Sequence, residues 1–302
     1  MKAFDQELVS GSVLRTVWKL AWPLVLLNLA NGLHAFVDHV LIGHFVGSAS
    51  NAGNAAVGVA WQVFLVIVVM IASLFHGMNV LVARYAGKQN REQLSRVFYE
   101  TLLASTYILL LVVAPTGYLI APRLLEFVQA DPEVTRHALP YLRVLFTCSA
   151  PLFLMFLMTG AFQASGDPKT PLKLGILTTL LNIALSAALI TGAGPFPELG
   201  VLGAALGTVL APLVSVAVAV RLILQRRMIL QPPRRFTLLP NLEVIRAVGR
   251  IGLPTGTQGV LLNLSGVFLL KYIGSLENSA AAQAAYTRSE EHTSELQSPL
   301  CI

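Results

Sequence analysis

Apolar residues run along this chain in seven blocks, at about 16–43, 55–82, 97–121, 139–163, 172–191, 200–224 and 250–274. Each is long enough to cross a hydrocarbon layer of about 30 Å as a helix. After Gly274 a short loop leads to Ala280–Tyr286, which reads as the opening turns of an eighth span. Polar residues inside the blocks are not scattered. In the first they fall at Asn28, Asn31, His34 and Asp38, every three or four residues. In the fifth they fall at Thr178, Thr179, Asn182 and Ser186. Both spacings place the polar groups on one helix face. In lipid such a face has to turn toward a bundle interior or a water-filled cavity.

Only 12% of the 302 residues are charged and 55% are hydrophobic, against about 25% charged in an ordinary soluble domain. The pattern therefore predicts an all-α polytopic membrane protein. The net charge of +6 changes the picture through its placement. One set of connectors holds Lys2, Arg15 and Lys19, then Arg84, Lys88, Arg91 and Arg96, then Lys169 and Lys173, then Arg221 through Arg250. The opposite set holds only Arg123, Arg136, Arg143 and Lys271, beside Glu126, Asp131, Glu133, Glu198 and Glu277. Basic connectors stay on the cytoplasmic side. The expectation is a multi-pass inner-membrane protein with a cytoplasmic N-terminus, whose basic loops report topology and bind no nucleic acid. Met1–Ser12 lacks the charge-then-apolar order of a signal peptide, so the first span is expected to stay as an anchor.

The longest connector, Gln225–Asn241, carries Pro232, Pro233 and Pro240 and reads as a linker. The stretch after it repeats the one that opens the chain. Val244-Ile-Arg-Ala-Val-Gly-Arg-Ile-Gly-Leu-Pro254 echoes Val13-Leu-Arg-Thr-Val-Trp-Lys-Leu-Ala-Trp-Pro23, and Ile273-Gly274 stands as far from its proline as Ile42-Gly43 does. Internal repeats are common in transporter folds. The expected organisation is a six-helix N-terminal lobe over 1–224, a cytoplasmic linker over 225–241, and the first helix and start of the next of a second, truncated six-helix lobe over 242–287. The segment 288–302 opens with Arg288-Ser-Glu-Glu-His-Thr-Ser-Glu-Leu-Gln-Ser298, which resembles the translation of a common sequencing adapter. It is expected to be no part of the native chain.

Asp38 is the costliest residue to place. A carboxylate in mid-span costs about 2.5–3.5 kcal/mol on insertion scales. An interhelical hydrogen bond offsets only about 0.6 kcal/mol on average. A transport site is the reading that accounts for keeping it. Asn182, with one acceptor and two donors, suits a cation or proton site shared with Asp38, although a plain interhelical contact is also open to it. Asn28, Asn31, His34, Thr178 and Ser186 are candidates to line a cavity, and Pro23 interrupts the backbone bonding of the first span. Gly200, Gly203 and Gly207 read as helix packing, with Pro212 as a kink. Ser73, His76 and Asn79 read as interfacial polarity, with a gate as the alternative. The His and Asp spacings match no standard zinc arrangement. No phosphate-binding loop, dinucleotide motif or nucleophilic triad is present, so no enzyme activity and no cofactor is expected. The driving force would come from an ion gradient, H⁺ or Na⁺.

Five segments together resemble the multidrug and toxic compound extrusion (MATE) family. They are Val37-Asp-His-Val-Leu-Ile-Gly43, Asn79–Leu94, Gly160-Ala-Phe-Gln-Ala-Ser-Gly-Asp-Pro-Lys-Thr-Pro171, and Leu181-Asn-Ile183 with Gly203-Ala-Ala-Leu-Gly-Thr208. The resemblance implies twelve helices in two lobes around a central cavity, and export of small organic cations in exchange for H⁺ or Na⁺ by a monomer in the lipid bilayer. It matches Asp38 to a first-helix carboxylate, Pro23 to the proline at which that helix bends, and Asn182 to an asparagine beside them. Ser186 stands where some members carry a second carboxylate, so a site of two carboxylates is not implied here, and Leu262-Asn263 stands where another branch carries a glutamate, which favours a DinF-like member. A flippase for lipid-linked precursors is the alternative. Its phosphate head group calls for cationic residues that spans 1 and 5 lack before their cytoplasmic ends. A non-transporting fragment is the third reading.

Overall fold

The computed structural model describes residues 12–45, 50–225, 228–232, 238–275, 282 and 286. For 13, 15, 16, 31, 34, 35, 38, 45, 50, 51 and 66–70 it describes the backbone alone. The segment 288–302 and most of the expected eighth span lie outside the described residues. What is described is helical: α1 (Val13–Phe45), α2 (Ser50–Gly87), α3 (Arg91–Ile108), α4 (Ala114–Phe127), α5 (Pro132–Thr147), α6 (Ala150–Ala164), α7 (Lys169–Thr191), α8 (Val201–Leu224) and α9 (Leu242–Gly274). The all-α, multi-pass architecture expected from the apolar blocks is the one observed. Among the described residues, Arg91–Phe127, Lys169–Thr191, Val201–Leu224 and Leu242–Gly274 are each long and apolar enough to cross a membrane, and the pair α5–α6 adds a fifth crossing.

Helix ends follow local chemistry. The Asn90 side chain accepts the amide of Gln93 and starts α3. Asp131 accepts the amide of Glu133 and starts α5, with Pro132 in the first turn. Asn241 accepts the amides of Glu243 and Val244 and starts α9, so the seventh span begins well before its apolar core. Each satisfies amides that a first turn leaves open. At the far end of α7, Gly192 takes φ +68°, and a Cβ there would meet the Glu198 backbone. This is the left-handed stop that glycine allows.

Two spans depart from the expected straight helices. The third contains a π turn, Leu109–Val113, between α3 and α4. Pro115 follows it and has no N–H for the carbonyl one turn back, and a π turn absorbs that misfit. The fourth is broken at Cys148-Ser149, where α5 and α6 meet at 56°. Pro151 sits in the first turn of α6, and the residue before a proline resists the helical region. Pro23, Pro212 and Pro254, by contrast, lie within continuous helices.

Buried side chains form two clusters, one at each end of the bundle. One gathers Ile42, Phe64, Leu125, Phe146, Phe153 and Val201. Within it Phe64 meets Phe146 edge-on at 5.4 Å. The other, at the end that carries the basic connectors, gathers Met78, Leu94, Phe98, Met158, Phe162 and Val248. Large apolar residues such as Leu29, Leu111, Leu119 and Leu180 stay exposed, which a lipid surround tolerates and water does not.

The repeat between the first and seventh spans has a structural counterpart. α1 and α9 are both 33 residues long, and each carries its proline inside. Their surroundings differ. Pro23 is buried and Pro254 exposed. α1 packs on α7 and α2, whereas α9 packs chiefly along α2.

Candidate functional site

α7 lies in the groove between α1 and α8. A Cβ added at Gly175 would fall on Cδ1 of Leu27, and the Thr179 hydroxyl donates to the carbonyl of Ala30 at 3.5 Å. The two contacts advance together along both chains, so α1 and α7 run parallel. Continuing that register sets Asn182 level with positions 33–34 of α1 and Ser186 level with positions 37–38. The helices that carry the two stripes are therefore neighbours. The side chains of Asn31, His34 and Asp38 lie outside the described residues.

Asn182 is 1% exposed. Its Oδ1 accepts the Ser186 hydroxyl at 3.4 Å, while its Nδ2 has no partner among the described groups. A buried amide donor without an acceptor costs about 1–3 kcal/mol, so this nitrogen marks a point where an acceptor is wanted. Ser186 and Thr178 are turned toward α8. The Ser186 Oγ occupies the space that Gly207 leaves by lacking a side chain, and Thr178 donates to Ser215 Oγ at 2.7 Å. Ser215 is fully buried, and its signal in the sequence is weak, because Thr208 and Arg221 are the other polar residues on its helix. At Gly203 a Cβ would come within 2.6 Å of the Leu189 carbonyl, so Gly203 and Gly207 serve close packing of α8 on α7, as their spacing suggests.

The other flank of α1 is also fixed. His39 Nδ1 lies 2.9 Å from Oδ1 of Asn54, which is 2% exposed on α2. Pro23 is buried nearer the start of the helix, and proline brings no N–H of its own to the helical bonding there. Asn28 is exposed. Of the second-span group, Ser73 lies beneath Gly252 and Gly256 of α9, His76 is exposed, and Asn79 Nδ2 lies against Gly160, beside Phe75 stacked on Phe156 at 4.0 Å.

The family model described as MatE matches residues 23–188, more than half of the chain and the whole of the α1–α7 pairing. The chain belongs to the MatE family. Among its relatives, the probable multidrug resistance protein YoeA of Bacillus subtilis is 28% identical over 280 residues, covering 92% of this chain and 59% of the relative. The probable multidrug resistance protein NorM of Thermotoga maritima is 27% identical over 256 residues, covering 84% of this chain and 53% of the relative. This chain thus spans a little over half the length of these relatives. The structure of the MATE multidrug transporter DinF-BH, solved in a complex, matches with a TM-score of 0.81 at 22% identity, over 98% of this chain and 64% of that one. That likeness shows a shared fold. As a MatE-family member the chain sits among membrane transporters and not among enzymes.

Proposed function

We propose that this MatE-family chain supplies the ion-coupling lobe of a secondary active exporter of small organic cations. The observation that carries the reading is the parallel packing of α1 on α7. It sets a buried, partly unpaired Asn182 level with the turn of α1 that contains His34, and Asp38 one turn farther along. The names of the relatives, multidrug resistance proteins, and that of DinF-BH, a multidrug transporter, support the substrate class.

In this reading Asp38 holds H⁺ or Na⁺ when the cavity faces outward, with Asn182 as its neutral partner. Asn182 can accept from a protonated carboxyl or donate to a free one, so it serves both states. Neutralising Asp38 removes the reason to keep water around the stripe. α1 then bends at Pro23, the residue within it that brings no N–H, and closes the space beside α7. Drug and ion bind the two states with opposite preference, and that difference is the whole of the coupling. The basic connectors lie on the cytoplasmic side, residues 1–224 form the first lobe, and 242 onward opens the second.

The test is efflux of an organic cation from cells carrying the gene extended to the length of its relatives. Asp38→Asn is expected to abolish gradient-driven efflux while leaving the amount of protein in the membrane unchanged. Efflux equal to that of the unsubstituted protein would remove Asp38 from the coupling step.

A further inference from the structure

Arg143 stands inside the fourth apolar block, one turn past its start. A charged side chain is costly to keep at such a place. Tyr118 of α4 covers one face of the guanidinium, whose carbon lies 4.5 Å from the ring centroid. A ring meets the face of the group and leaves its in-plane donors open. Nε is buried and has no hydrogen-bond partner among the described groups. Such a donor calls for an acceptor.

There is room for that acceptor to come from outside the chain. A groove of about 500 Å³ runs between α4 and α5, with Pro122, Glu126, Arg136, Leu139 and Pro140 on its walls. Tyr118, Pro122 and Glu126 are spaced by four, and Arg136, Pro140 and Arg143 by four and three, so each set shares a helix face. The helices run antiparallel: Arg143 meets Tyr118, while Glu126 and Arg136 line the same groove. At the inner end a Cβ on Gly117 would fall on the Phe146 ring, so the two helices touch there. The outer end opens beside the connector 128–131, where Glu126 and Arg136 are exposed. Arg136 lies two turns, about 10 Å, nearer that connector than Arg143. Long side chains on a helix lean toward its N-terminus, which for α5 is the outer end, so Arg143 reaches back toward the groove.

From the inside outward the groove offers a buried guanidinium, a wall of Pro122, Leu139 and Pro140, then a second guanidinium facing a carboxylate. Guanidinium groups bind phosphate through paired donors, and basic pockets between spans take lipid head groups. Two arginines repel an organic cation, so the groove is not a second drug site. Glu126 repels an anionic head group and suits an ammonium beyond the phosphate. A primary ammonium donates hydrogen bonds to a carboxylate, and a quaternary one has no N–H to donate.

We propose that the α4–α5 groove binds a phospholipid with a primary-ammonium head group. Its phosphate lies on Arg143 and Arg136, its ammonium on Glu126, and the upper part of a chain along Pro122, Leu139 and Pro140. Both walls are consecutive helices of the first bundle, so the site is complete within that bundle. The proposal rests on the membrane-spanning fold and not on the efflux reading.

The test is lipid retention by the purified chain in detergent, read by native mass spectrometry. Phosphatidylethanolamine, phosphatidylglycerol and phosphatidylcholine of equal chain length are added in turn. Losing a hydrogen bond to a charged group changes binding roughly tenfold or more, so the chain should hold one phosphatidylethanolamine tighter than either other lipid by about that factor. Arg143→Met keeps an apolar stem and loses the donors, and should weaken all three lipids to a similar extent. Glu126→Gln should cancel the preference for phosphatidylethanolamine over phosphatidylglycerol while a lipid is still held. Pro140→Trp, at an exposed position, fills the groove with every charge in place and should displace the lipid, which separates loss of the site from a fold defect in Arg143→Met. Equal retention of phosphatidylethanolamine and either other lipid by the unsubstituted chain overturns the proposal. So does retention unchanged in Arg143→Met or in Pro140→Trp, whether or not the protein exports anything.

Discussion

Gly252 of α9 lies so close beneath Ser73 of α2 that no side chain fits between them. A Cβ there would overlap the Ser73 carbonyl oxygen, stand 2.6 Å from its carbon, and reach 3.1 Å from the amide nitrogen of Gly77. The contact is backbone against backbone, with nothing flexible to give way. Gly252→Ala should therefore push the two helices apart, at about 1–3 kcal/mol for overpacking. Gly249, one turn earlier, has nothing within 4 Å of where its Cβ would be. There the same change should stabilise, by roughly 0.5–1 kcal/mol, because alanine loses less entropy in a helix. Thermal unfolding in detergent decides it. Equal effects at the two positions would mean that the close seam is not what holds α9.

Asn182 separates stability from transport. Its buried Nδ2 lacks a partner among the described groups, and its Oδ1 makes one long bond to Ser186. Replacing the amide with an apolar group of similar shape removes an unsatisfied donor but leaves the buried Ser186 hydroxyl without its acceptor, two effects of about 1–3 kcal/mol that oppose each other. Asn182→Leu is expected to unfold within about 1 kcal/mol of the native chain. In the length-extended gene it should lower efflux by roughly tenfold or more, the worth of about 1.4 kcal/mol at the ion site. A variant that is both stable and active would take Asn182 out of that site.

The hydroxyl pair Thr178–Ser215 should behave as ordinary membrane glue. The bond is short, 2.7 Å, but the single Thr178 hydroxyl proton also has the Leu174 carbonyl within reach at 2.8 Å, so the loss of the pair is cushioned. Double-mutant cycles on such pairs average about 0.6 kcal/mol. A cycle of Thr178→Val and Ser215→Ala is expected to give a coupling near that figure. A coupling of several kcal/mol would point to a buried polar network larger than the pair.

The helices that carry the candidate site, and the polar stripes along them, are legible in the sequence for identifiable reasons. Stripes such as 28-31-34-38 and 178-182-186 repeat at the period of a helix, and lipid makes every polar residue on them conspicuous. Gly203 and Gly207 carry the same kind of local signal, and the structure sets them against α7. Contacts between distant segments leave no such trace. Nothing in the spacing of Gly252 ties it to Ser73, and Ser215 has no polar residue three or four positions away on its helix to form a stripe. Glu100 gives no signal either, because an acid near the basic end of a span looks like interfacial polarity. Its partner, the backbone amide of Asn241 far away in sequence, appears only in the fold. The breaks at 109–113 and 148–149 are hidden for another reason. Hydrophobicity runs through the first without interruption and dips only briefly, at Thr147-Cys148-Ser149, through the second, so Pro115 and Pro151 are their main marks.

The far end of α9 offers a check on how firmly the helix is held. Lys271 places its ammonium 4.3 Å from the Phe127 ring centroid, and Phe268 meets the same ring edge-on at 6.2 Å. One ring thus serves two residues of α9 from the last turn of α4. A cation over an aromatic face contributes about 0.5–1 kcal/mol where partly exposed, and the methylene stem adds packing of its own. Lys271→Met keeps the stem and removes the charge, so it should cost no more than about 0.5–1 kcal/mol. Phe127→Leu removes the face for the cation and the partner for Phe268 together, and should cost more than Lys271→Met. Because the ring is the shared element, adding Lys271→Met to Phe127→Leu should then cost almost nothing further. Additive losses in thermal unfolding would mean that Lys271 is held by something other than the ring.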